Sequence, residues 1–187
     1  MKALLCLLLA ACGLPDASLN DQEVITTVIL DFDGTRFEFD DVDGDGGEPP
    51  TIDPVTIAPG SYTLTLHFEN RLSDPTEDIT AEVNDESALH LVLFTGSAIA
   101  GPATTNTDAP LAQAYADTDA NGLPVGLSNT ITATSGEGLL TLTLRHMPPE
   151  LPPQKSADTT AEVRDNGIDS IGGATDAQVV FMVTVQE

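Results

Sequence analysis

Residues 61–68 read SYTLTLHF, with Tyr62, Leu64, Leu66 and Phe68 on every second position. A period of two places these side chains on one side of an extended chain and Thr63, Thr65 and His67 on the other; a helix would scatter them. Similar runs rich in Thr, Val, Leu and Ile return at residues 24–30, 35–40, 88–94, 111–116, 129–134, 139–145 and 179–185. Asp33-Gly34 between the first two runs is a strong hairpin turn. Roughly eight short strands with turn residues between them predict an all-β fold, an antiparallel immunoglobulin-like β-sandwich. One segment departs from this pattern. Residues 74–86 (DPTEDITAEVNDE) predict a short helix, with Asp74 as cap, Pro75 in the first turn, and Ile79 and Val83 packed on a sheet. Residues 150–160 and 166–175 read as loops.

The first residues carry a separate signal. Lys2 precedes an apolar stretch over residues 3–11, too short to span a membrane, and Ala10 and Ala11 stand just before Cys12. The pattern resembles a bacterial lipobox, which implies a cleaved leader (1–11), a lipidated Cys12 opening a tether (12–22), and one domain (23–187). With Gly13 and no aspartate after the cysteine, the outer membrane is the expected destination. Cys6 would leave with the leader, so the mature fold holds no disulfide and depends on its core or on bound ions.

Charge sharpens the choice of partners. Six Lys and Arg against thirty Asp and Glu give a net charge of −24, a surface that repels phosphate backbones and excludes nucleic acid as a partner. Acidity alone serves solubility; acidity clustered at ligand spacing serves cations. Residues 41–47 (DVDGDGG) place Asp41, Asp43 and Asp45 at alternate positions before glycine, and Asp117, Asp119 and Asn121 repeat the spacing before Gly122. Three oxygen donors on a tight turn suit Ca²⁺. Neither loop is an EF-hand, since Ile52 and Ser128 occupy the twelfth positions, and the plain alternative is a solvated acidic turn.

A second cluster follows from the expected helix. Asp78, Glu82 and Glu86 recur at i, i+4 and i+8, a stack of like charges that weakens a helix unless solvent or a cation screens it. His90 shares a strand face with Val92 and Phe94, and His146 ends a strand before Met147-Pro148-Pro149. If these elements converge, Glu82, Glu86, His90 and His146 form a site suited to Zn²⁺ or Cu²⁺. A half-buried histidine with one hydrogen bond is the plain alternative for His90. No nucleophile elbow, phosphate-binding glycine loop or His-Glu-x-x-His motif is present, so no catalytic residue is assigned.

The ordered set of residues 23–28 (EVITTV), 41–47, 74–83 (DPTEDITAEV), 115–122 (YADTDANG) with Pro124, Gly126 and Leu127, and 144–148 (LRHMP) resembles a family of small bacterial outer-membrane lipoproteins. These carry the label type 1 periplasmic-binding-fold superfamily and often occur beside TonB-dependent receptors. The chain departs from them at Leu89-His90-Leu91, where members tend to show Glu-His-Gln. The label itself implies two α/β lobes, which conflicts with the β-sandwich pattern. The resemblance implies an accessory to receptor-mediated nutrient or metal uptake, with a TonB-dependent receptor as partner. The combined expectation is a lipid-anchored, non-enzymatic, divalent-metal-binding protein of the outer membrane, facing periplasm or exterior. The alternatives are a structural or adhesion module without a specific ligand, and a metal-dependent hydrolase.

Overall fold

The computed structural model describes residues 24–187. The leader, Cys12 and the tether lie outside the described residues. Among the described residues twelve strands and two α-helices follow in the order β1 (Thr27–Phe32), β2 (Thr35–Asp40), β3 (Thr51–Ile52), β4 (Val55–Ile57), β5 (Gly60–Asn70), β6 (Glu77–Asp78), α1 (Ile79–Asp85), β7 (His90–Thr95), β8 (Ile99–Ala100), β9 (Leu111–Tyr115), β10 (Ser128–Ala133), β11 (Gly136–His146), α2 (Thr159–Asn166) and β12 (Ala174–Val185). The larger sheet runs β3-β2-β1-β5-β10-β9-β8, with β6 beside β5; the smaller runs β4-β12-β11-β7.

The period of two decides what each sheet buries. Leu64, Leu66 and Phe68 of β5 join Val28, Leu30 and Phe32 of β1 in one hydrophobic cluster, which the smaller sheet completes with Val92, Phe94, Leu140, Leu142, Leu144, Phe181 and Val183. Each such side chain contributes about 1.5–3 kcal/mol on burial. The β1–β2 hairpin turns at Asp33 and Gly34, both with positive φ, and Gly34 N–H donates to Asp31 Oδ1 at 2.6 Å. Pairing is antiparallel throughout the body of both sheets. The purely antiparallel expectation fails only at short edge strands, where β4 pairs β12 and β8 pairs β9 in parallel.

The helix differs from its expected span. Glu77 and Asp78 extend to pair with Asn70 and Glu69, so α1 begins at Ile79 and Asp74 does not cap it. Asp78 stands before α1 in extended conformation and Glu86 follows it as the C-cap, so the three stacked carboxylates do not share one helical face. Ile79 and Val83 do bury, and both join the main cluster. α2 falls in a stretch without strand or helix signals. It packs Val163 with Leu91, Leu93, Ala103, Met147 and Ile171 in a second cluster on the other side of β7. That double covering explains why the sequence around His90 reads as an almost unbroken apolar run.

Candidate metal centre

His90 opens β7 and His146 closes β11, and the register makes them direct cross-strand partners. Both project on the side of the sheet that carries Val92, Phe94, Leu142 and Leu144, at the end of that face. The rings stack with centroids 4.6 Å apart and planes 14° off parallel. Beyond them the ladder continues through Met147 N–H donating to Leu89 O at 2.7 Å, which holds the strand ends together. Glu86 arrives from the end of α1, four residues before His90. One ligand atom from each of Glu86, His90 and His146 lies within 4.8 Å of the other two. Glu86 is exposed and His90 is buried, so the cluster lies between solvent and core.

Asp176 completes the surroundings. Pairing between β11 and β12 shifts register there: Leu144 opposes Ala177 and Arg145 opposes Thr175, leaving Asp176 as the extra residue of a bulge. In strict alternation Asp176 would share the outer face with Gln178, Val180 and Met182, all exposed. The bulge instead re-aims it, and its Oδ2 lies 3.8 Å from His90 Nε2 with both side chains at most 3% exposed. Arg145 secures the bulge, donating to Gly172 O at 3.0 Å and Thr175 Oγ1 at 2.7 Å.

Electrostatics follow from burial. Desolvation pushes His90 down to about 4, against the contact of its Nδ1 with Glu86 O at 3.2 Å, while His146 and Lys155 push the same way as burial. Desolvation pushes the Asp176 carboxyl up to about 6, with His146 and Arg145 opposing. At neutral pH a neutral imidazole therefore adjoins a mostly ionised, buried carboxylate. Asp176 Oδ2 and His146 Nε2 are shielded from solvent and accept or donate no hydrogen bond among the described residues. The two imidazoles and the Glu86 carboxylate that converge are donors of the kind a borderline divalent ion such as zinc takes.

The remaining predicted ligands lie elsewhere. Glu82 is exposed on α1 and outside the converging group. In the second Asp-rich loop, Asp117 accepts N–H bonds from Gly126, Leu127 and Ser128, and Asp119 Oδ1 accepts those of Asn121 and Leu123. Asp119 Oδ2 pairs with Lys155 Nζ at 3.0 Å, with both side chains almost fully buried. Lys155 also donates to Ser87 O and His90 O, each at 2.8 Å. The loop's carboxylates thus serve as anchors, fastening residues 117–127 over the free edge of β7, where Val92 N–H donates to Val125 O. In the first loop a 3-10 turn (Gly44–Gly46) brings Asp43 close; a Cβ at Gly46 would collide with that carboxylate. Asp41 Oδ1 and Asp43 Oδ1 are shielded and take no hydrogen bond among the described residues. The Asp45 side chain lies outside the described set.

Asp176 and Lys155 were not singled out by sequence reasoning. Lys155 carries one usable signal, as one of only six basic residues in a chain of thirty acids. No described helix is long and apolar enough to cross a membrane. Compared with known proteins, the chain matches no family model, no curated protein and no solved structure.

Proposed function

We propose that this protein is a non-enzymatic, lipid-anchored protein of the bacterial outer membrane that captures a divalent transition metal through Glu86, His90 and His146. The convergence of two stacked imidazoles and a carboxylate at one end of the core carries this reading. The lipobox-like residues before Cys12 support the anchor, and the resemblance to receptor-associated lipoproteins supports a role beside a TonB-dependent receptor. An immunoglobulin-like arrangement is the finer fold proposal, supported by two mainly antiparallel sheets sharing one cluster. Calorimetric titration of the full chain with ZnCl₂ is expected to show one site per chain. His146→Ala is expected to weaken it about 10–100-fold or more, as loss of groups at a metal site does. Equal binding by the variant, or none by the wild type, would remove the proposal.

A second reading applies to residues 41–47. Two shielded aspartate oxygens that take no hydrogen bond among the described residues, in a turn that needs glycine at position 46, favour Ca²⁺ there. Chelation with EGTA should then lower the melting temperature, and Asp43→Asn should abolish that response. An unchanged melting curve after chelation would show the turn to be self-sufficient.

A further inference from the structure

We infer that Asp176 is the fourth protein ligand of this centre, and that the ion it takes is Zn²⁺ held by two imidazoles and two carboxylates with no position left for solvent. The inference rests on the metal-capture reading and adds to it a residue and a closed coordination sphere. Three observations carry it. The bulge in β12 spends an unpaired residue to turn Asp176 away from the outer face and toward the histidine pair. Its side chain is 3% exposed, and its Oδ2 takes no hydrogen bond among the described residues, a costly arrangement for a carboxylate. Its Oδ2 lies 3.8 Å from His90 Nε2. Donors bound to one zinc ion at about 2 Å stand about 3.3 Å apart in tetrahedral geometry, so Asp176 and His90 stand near ligand spacing, while Asp176 lies outside the group of atoms within 4.8 Å of one another and binding must draw it toward Glu86 and His146.

The tautomer of His90 points the same way. Glu86 O is an acceptor only, so the contact at 3.2 Å requires the proton on Nδ1. Nε2 is then the nitrogen that can ligate a cation, and it faces Asp176 Oδ2 at 3.8 Å. The neutral rings and the two carboxylates of Glu86 and Asp176 balance a 2+ ion, which suits a half-buried place. Ca²⁺ would need six or more oxygens, and Cu²⁺ favours a tetragonal rather than a tetrahedral arrangement of nitrogen and oxygen donors. Four protein ligands leave no open position, which is the mark of a holding site; a catalytic zinc keeps one position for water.

The test titrates the full chain with ZnCl₂ beside Asp176→Asn and His146→Ala, and with CoCl₂ beside Asp176→Cys. Asp176→Asn is expected to lower zinc affinity at least about tenfold. Cobalt bound to the Asp176→Cys variant is expected to show a thiolate-to-metal charge-transfer band that the wild-type chain, with its own cysteines, lacks. Zinc binding by Asp176→Asn equal to wild type, alongside loss in His146→Ala, would overturn the fourth ligand and leave three-residue capture standing. No zinc binding by the wild type would overturn both. Should Asp176→Asn fail to fold, the cobalt band decides alone: its presence supports the inference and its absence overturns it.

Discussion

At Gly173 the backbone has φ +84°, and a Cβ there would collide with the carbonyl of His146 and crowd Met147 Cα at 2.9 Å. Only glycine lets the approach to β12 pass this close to the end of β11. Gly173→Ala is therefore expected to cost about 1–3 kcal/mol, read as a lower denaturation midpoint at unchanged slope, and to weaken zinc binding by displacing His146. Wild-type stability with wild-type affinity would show that the contact is not needed. Asp176 shows what single positions hide. Its even number places it with Gln178, Val180 and Met182 in any alternating reading of the strand, and only the bulge reverses that parity. His90 and His146 were legible as candidates because each sits where an alternating run starts or stops. Their pairing was not, since strand register joins residues 56 positions apart.

Among the elements, the turn at residues 117–122 holds β7 in place through Lys155. The buried ammonium reaches Ser87 O, His90 O and Asp119, so it ties the α1–β7 connection to the Asp-rich loop. Lys155→Met leaves Asp119 buried without its partner and is expected to cost about 3–5 kcal/mol. Lys155→Met with Asp119→Leu should recover much of that loss, because apolar replacement of both partners removes the orphaned charge. A double variant no more stable than the single would contradict this. The pH dependence has a definite sign. Burial would raise Asp119, but the Leu123 and Asn121 amides and Lys155 hold it below the ordinary carboxylate range. Its stabilisation is therefore present above about pH 4 and lost as pH falls through the lowered value. Denaturation midpoints measured from pH 6 to pH 2 should fall less steeply for Asp119→Asn. The same loop shows why its D-x-D-x-N-G spacing read as an ion loop: Asp and Asn that organise backbone amides obey the same spacing as those that bind calcium. α2 was illegible for another reason. Only Thr159 and Val163 of its residues bury, too few to draw an apolar stripe.

For the whole molecule, alternation fixed the β class and most strand positions, since one buried face dictates which residues face in. It could not fix the sheet order, the parallel edge pairs or α1's late start, which depend on contacts between distant segments. The resulting architecture puts the proposed centre where the shared core ends: α1 buries Ile79 and Val83 and is followed by Glu86, while β7 and β11 bring His90 and His146 together and the β12 bulge sets Asp176 beside His90. A site that draws on four elements should stabilise the fold when filled, by about 2.7 kcal/mol at a hundredfold excess of ion over Kd. The gain should fade in acid as protons compete for the imidazoles. The most direct test is anomalous diffraction at the zinc edge from crystals of the protein grown with ZnCl₂. The account predicts one strong peak bounded by Glu86, His90, His146 and Asp176; zinc found only elsewhere on the molecule, or none at all, would contradict it.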